Sequence, residues 1–419
     1  DAGGFGDDGS ENIIKCGSYS GANAALSVNC GFEPQYVLIK KSNGAAPWVI
    51  EDIMRGMTMT SDSLLYANSS VAEEPKAYQH VTATPTGFDV AYANADTTTA
   101  GSEFIYIAIR RPMKTPASGT EVFSPDFQDA SDPSYSTGFV VDAALRLYRP
   151  GGGAYTSYMV SRLTGDNRMT TTSTDAEEAG GSVWAWDFNN GWGQSLSTST
   201  DVVSQSFKRA TGFMDVVAYT GTSSSASPAF YHNLGVLPEF MIFKSRSGAV
   251  AWQVWHKDLP IYASDAYKGL YLNTTAAADT AGVVATSRLT STYFTGPAGG
   301  ETNTSGQTYV CYMFATLAGV SKVGSYTGTG ADLNVDCGFS AGARFILIKR
   351  TDSTGDWYVW DSARGISAGN DPYLLLNSTA AEVTGTDYVD PLSAGFTVTS
   401  SAPAALNASG GTYIFLAIA

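Results

Sequence analysis

Three kinds of residue in this chain have the types and spacing that chemistry uses. Adjacent carboxylates stand at Glu51-Asp52, Glu73-Glu74 and Glu177-Glu178, and carboxylate pairs are what glycoside hydrolysis requires. Only His80, His232 and His256 offer an imidazole, which leaves little room for a Ser-His-Asp arrangement or a histidine metal site. Asn68, Asn273 and Asn377 each open an Asn-x-Ser/Thr phrase, the pattern of a glycan acceptor. Asp-rich turns at 6–10 and 351–356 fall short of the ligand set of a cation-binding loop. The stretch "RPGGGA" at 149–154 lacks the Lys-Ser/Thr continuation of a phosphate loop and joins strand to strand.

These groups recur at matched places, so a structural account comes first. "CGFEPQYVLIKKSNGAAPWVIEDIMRG" from Cys30 aligns with "CGFSAGARFILIKRTDSTGDWYVWDSARG" from Cys337. Each runs through an apolar strand ending in Lys, a Gly-containing turn and a Trp-bearing strand that closes on Asp-x-x-Arg-Gly. "LGVLPEFMIFKSRSGAVAWQVWHKDL" from Leu234 keeps the order, with Lys244 and Trp252 in register. A weaker copy from Thr137 places Arg162 at the position of Arg55 and Arg364. Three copies open on a Gly-bracketed Tyr, "CGSYSG", "VAYTGT" and "VGSYTG". A repeat of about a hundred residues is a property of arrays. It divides the chain into a segment 1–14 and repeats 15–112, 113–212 (divergent), 213–319 and 320–419.

Within a repeat, "QYVLIKK" and "RFILIKR" are apolar runs of strand length, and the Gly- and Asn-containing turns between them suit hairpins. Charged residues are only 15% of the chain and Gly numbers 44, and no stretch sustains helical periodicity. The reading is all-β, as tandem β-sandwich repeats of jelly-roll or lectin-like kind. A catalytic acid pair should be peculiar to one repeat. Asp52-x-x-Arg55 recurs as Asp361-x-x-Arg364, which suits ion pairs bracing the turn before Gly56 and Gly365. His256 takes the aspartate's place and is expected to cap the same turn. The three Asn are expected to be bare turn residues bonded to their own backbone. No catalytic, cofactor-binding or metal-ligating residue is assigned.

The net charge of −15 would repel a phosphate backbone, and no Lys/Arg cluster exceeds a pair, so nucleic acid is excluded as a partner. No apolar run reaches the roughly 18 residues of a bilayer span, and the first residues lack the basic and apolar regions of a signal peptide; membrane insertion is not expected. Cys16 and Cys30 flank a stretch that could set them on facing strands, leaving a bridge open, although Val323 stands at the first position in the last repeat and favours small core thiols. The aromatics of "SVWAWDFNNGWGQS" have no counterpart elsewhere. Trp184, Trp186, Phe188 and Trp192 are therefore the candidates for stacking on a sugar or anchoring a partner, with a local core as the alternative.

The phrases "FKRATGFMDVVAYTGT", "HNLGVLPEFMIFKSRSG", "GFSAGARFILIKRTDSTGDWYVWDSARG", "NDPYLLLNSTAAEV" and "ALNASGGTYIFLAIA" resemble a family of tailed-bacteriophage proteins built from repeated domains. The likeness is close from about residue 130 onward and looser before it. It implies a non-enzymatic virion protein on the exterior of tail or capsid, a tail fibre or appendage component whose partners are other copies of itself and other virion proteins. The alternatives are a capsid decoration protein or a lectin-like module for host surface glycan, and last a polysaccharide depolymerase.

Overall fold

The structure is a computed structural model that describes residues 12–59, 62–76, 78–91, 95–150, 156–180, 184–193, 198–223, 229–263, 266–280, 284, 286–296 and 300–419. The turn at 6–10 and most of "RPGGGA" lie outside the described residues. Almost all regular structure is strand, and one short helical turn, Ala404–Asn407, is α.

Each repeat builds its larger sheet in one order: the opening strand, then the closing strand, then the three strands that lie between them in sequence. In the first repeat these are Ile14–Ser20, Glu103–Arg110, Pro34–Lys41, Trp48–Asp52 and Asp62–Tyr66, with Glu74–Lys76 added at the edge. In the last they are Ser321–Thr327, Thr412–Ile418, Phe345–Arg350, Trp357–Asp361 and Leu374–Leu375. The second and third repeats follow the same order, opening at Phe123–Gln128 and Met214–Thr220. A smaller sheet faces it: Leu26–Asn29, Gly87–Val90 and Val81–Thr84 in the first repeat, and Leu333–Asp336, Gly395–Val398 and Val389–Leu392 in the last. All the pairings are antiparallel, and the protein is an all-β assembly of sandwiches.

The sandwich cores draw alternate residues from both sheets, as a period of two demands. In the last repeat Ile346, Ile348, Phe415 and Ala417 of the large sheet pack against Val335, Phe396 and Val398 of the small one. Val37, Ile39, Tyr106 and Ala108 meet Val28, Phe88 and Val90 in the same way in the first repeat.

The Gly-bracketed Tyr of the openers is a packing device. Tyr19, Tyr219 and Tyr326 stack on Phe104, Tyr309 and Tyr413 of their closing strands at 5.2, 5.2 and 4.8 Å. Their hydroxyls donate to the carbonyls of Thr97, Thr302 and Leu406 at 2.6, 2.7 and 2.7 Å. Gly17 and Gly324 lie under the rings of Tyr106 and Phe415, where an added Cβ would come within 2.5 and 2.7 Å of ring atoms. The third repeat has Val217 at this position, and its cross-strand partner is Cys311 instead of a ring. Side-chain volume is thus conserved across the strand pair.

Contacts divide the chain into two compact units. One comprises the first repeat to residue 113 together with 162–165 and 185–188; the other comprises 114–161, 166–184 and 189–419. Inside the second unit the outer faces of three large sheets meet around Leu145, Ile242 and Leu347, which occupy equivalent positions on the inner strands of repeats two, three and four. Each of these repeats touches the other two, a pseudo-three-fold arrangement.

Candidate interaction surfaces

The residues singled out for chemistry are consumed by these sandwiches. Because successive strand residues point to opposite faces, Glu51 is buried against His80 while Asp52 turns toward Arg55. Glu73 pairs with Arg55 and Glu74 with Lys76; Glu177 pairs with Arg246 and Glu178 with Arg168. Adjacent acids therefore serve separate partners.

Asp52 Oδ1 accepts the amides of Met54 and Arg55, both at 3.0 Å, and Oδ2 accepts Arg55 Nε at 2.7 Å. Asp361 repeats the pattern with Ala363 and Arg364 at 3.1 and 3.0 Å and Arg364 Nε at 2.7 Å. Each turn closes on Gly56 or Gly365, with φ of 127° and 111°, where a Cβ would be strained. His256 stands at the same register, opposite Phe240 as Asp361 stands opposite Phe345. Its Nδ1 accepts the Asp258 amide at 3.1 Å, reproducing the i+2 bond of the aspartates with a neutral ring. Burial lowers the His256 pKa to about 3 and keeps that ring uncharged. The placement of Arg162 is corrected: Ser161 occupies the aspartate register, and the Arg162 guanidinium instead donates to the carbonyls of Ile53 and Trp186 and lies over the Trp186 ring.

Of the two readings of the aromatic segment, burial favours the local core. Trp184, Trp186 and Trp192 are buried and Phe188 is half-buried, so the three indoles present no face to a glycan. Trp192 stacks on Tyr135 and Trp184, and its Nε1 donates to the hydroxyls of Ser204 and Ser206 at 3.0 Å. Trp186 Nε1 donates to the Gly165 carbonyl at 2.9 Å. The local-core alternative describes Trp184 and Trp192, which fill a sandwich whose small sheet is reduced to two strands, Tyr135–Ser136 and Gly191–Trp192, whereas Trp186 packs with Arg162 and Gly165 in the unit of the first repeat.

The three Asn do not turn on their own backbone. Asn68, Asn273 and Asn377 reach about twenty residues back, and each Oδ1 accepts the amide of Trp48, Trp252 or Trp357 at 2.9, 3.1 and 2.8 Å. The Trp carbonyl in turn accepts from the residue preceding the Asn, at 3.0 to 3.1 Å. The phrase is a clamp that fixes where the fourth strand begins. Cys16 and Cys30 are both free, the first exposed and the second buried.

A buried polar cluster went unnoticed in the sequence because its members are 11 to 29 residues apart. Asp62 Oδ1 accepts the Thr58 amide at 2.9 Å, and Oδ2 accepts the amides of Val81, at 2.9 Å, and His80. His80 Nδ1 meets Glu51 Oε1. Burial, then the Glu51 charge, pushes the Asp62 pKa up to about 7. Asp371 holds the equivalent place in the last repeat, accepting Tyr388 and Val389 amides and Trp360 Nε1 at 2.8, 3.1 and 2.8 Å. The first repeat thus has Glu51 and His80 where the last has Trp360 and Tyr388. Glu51 and His80 are each 1% exposed, out of reach of a substrate that would need a proton from them.

What remains is a set of contacts between repeats, all within the second unit. Trp252 Nε1 donates to the Thr170 carbonyl and Trp357 Nε1 to that of Tyr271, each at 2.9 Å, so each ring plugs into the preceding repeat. Lys244 and Lys349 donate to the carbonyls of Thr174 and Thr275 at 2.9 and 3.2 Å, within the neighbour's Asn-clamp turn or the segment matching it. The amides of Glu177, Ala278 and Glu382 donate to the carbonyls of Arg246, Thr351 and Arg149 at 2.8, 2.9 and 2.7 Å, the last joining repeat four back to repeat two. Arg149 and Glu382 add an ion pair at 2.6 Å.

Fold and contacts together define a repeat protein whose distinctive surfaces are sheet faces. The chain belongs to the family described as Domain of unknown function (DUF7483), whose model matches residues 11–112 and 158–419. No curated protein and no solved structure matches it.

Proposed function

We propose that the chain is a non-enzymatic building block of a tailed-bacteriophage virion, a tail fibre or appendage component that works by burying sheet faces against neighbouring proteins. One observation supports the building-block reading above the rest: the elements repeated along the chain are clamps, braces and plugs, and three of the four repeats are joined to one another by equivalent ones. The carboxylates that a depolymerase would need are divided among bracing cations. The virion placement rests on the resemblance of the sequence phrases, and an acidic, hydroxyl-rich exterior suits an exposed appendage.

The test has two arms. Peptide mass spectrometry and a density map of particles that encode the chain should find it as a stoichiometric exterior component, with the map separating tail from capsid. The purified chain should release no reducing ends from host-surface polysaccharide. Absence from particles overturns the virion reading. Release of reducing ends that Glu51→Gln abolishes would replace it with the depolymerase.

A further inference from the structure

The first repeat carries the same interlocking face as the other three, but there it is exposed. Register fixes the equivalences: Ile107 pairs with Leu38 as Leu416 pairs with Leu347, Tyr312 with Ile242 and Gln205 with Leu145. Ile107 is 38% exposed, whereas its equivalents Gln205, Tyr312 and Leu416 are at most 2%. Ile105 is 43% exposed against at most 2% for Val203, Val310 and Ile414. Ile14 is 48% exposed, where Phe123, Met214 and Ser321 are buried, and Trp48 is 37% exposed, where Trp252 and Trp357 are sealed in a neighbour. Isoleucines and a tryptophan on one sheet face in water are the sign of a surface made to be covered.

We propose that the first repeat covers this face with the first repeats of two further copies of the same chain, in a homotrimer whose interface repeats the internal one. Repeats two to four show what such a face binds, which is another sandwich of this type. They also fix the number, because a head-to-tail contact that closes after three repeats within one chain closes after three identical copies by symmetry. The donors and acceptors for the contact are in place. Trp48 is set by Asn68 as Trp357 is by Asn377, and its indole N–H meets the Tyr66 carbonyl of the next copy, the counterpart of Tyr271. Lys40 Nζ already holds the Ala46 carbonyl at 2.6 Å, as Lys244 holds Val250 and Lys349 holds Gly355. Its remaining protons face the Ser70 carbonyl of the neighbour, the counterpart of Thr275. Val71, 53% exposed in the same segment, becomes buried. The inference does not depend on the virion placement, since it concerns the chain in solution.

The experiment is light scattering on the size-separated full-length chain at micromolar concentration, with alkylation of Cys16 as a second readout. Cys16 lies on this face opposite Ile107, and the other three thiols are buried. Wild type is expected at three chain masses with Cys16 reacting at least tenfold more slowly than in Ile107→Glu. Ile107→Glu and Ile105→Lys are expected at one chain mass with unchanged circular dichroism, since both side chains point away from the sandwich core. A wild-type mass of one, two or four chains overturns the proposal. So does a trimer that survives both substitutions with Cys16 still reactive, because it would be built on another surface.

Discussion

At the scale of single residues, the side chains most suggestive of chemistry do structural work that mutation should expose. Trp192 is fully buried with its indole N–H shared between two serine hydroxyls. Trp192→Ala is expected to cost about 3–5 kcal/mol, read as a lowered denaturation midpoint, and not to act as loss of a surface contact. Asn377 holds the Trp357 amide with one atom and the Asp356 carboxylate with the other. Asn377→Ala should therefore cost about 1–3 kcal/mol by orphaning a buried amide, and intact mass should show all three Asn bare. His256 gives a pH signature. The unfolded imidazole takes a proton near 6.5, the folded one only near 3. Between those values the unfolded state holds more protons, so stability falls as pH falls, by up to about 1.4 kcal/mol per unit. His256→Asn, which keeps an acceptor for the Asp258 amide, should flatten that slope in denaturation midpoints from pH 7 to 4; an unchanged slope would refute the assignment.

At the scale of elements, the repeat is a set of compensated choices. The opener glycine is needed only where a ring crosses over it, as the pairing of Val217 with Cys311 shows. Gly324→Val is expected to cost about 1–3 kcal/mol by overpacking against Phe415. The double substitution Gly324→Val with Phe415→Cys should cost less than the two single changes added together, a coupling of about 0.5–3 kcal/mol in a double-mutant cycle. Additivity would mean that the ring and the glycine are not linked. The Asp-x-x-Arg-Gly turn shows a similar replacement, since the neutral His256 ring keeps the i+2 bond that the aspartates make.

At the scale of the whole molecule, repeats two to four share an apolar centre lined by equivalent leucines and isoleucines, so they should open as one. Leu347→Asp places a charge in that centre. Hydrogen exchange should then show protection falling together in the strands Ala143–Tyr148, Phe240–Ser245 and Phe345–Arg350, because a shared core couples their opening. Loss confined to the last repeat would show three separate cores instead.

The sequence by itself determined the repeat, its strands and its turns, because periodicity, turn chemistry and local ion pairs such as Asp361 with Arg364 act over a few residues. It also placed His256 at the aspartate's turn. It did not show that Asn377 clamps a strand start, nor that Glu51, Asp62 and His80 gather, because those partners lie 11 to 29 residues apart and only strand pairing brings them together. For Trp184, Trp186 and Trp192 the sequence left a stacking surface and a local core both open for the same reason: polar neighbours in sequence reveal nothing of the sheet that closes over them. Whether a sheet face is interior or exposed was decided by tertiary structure alone, since Ile107 and Leu416 are near-identical side chains in matched strands, yet the first is 38% exposed and the second 2%, and strand periodicity acts over too few residues to tell them apart.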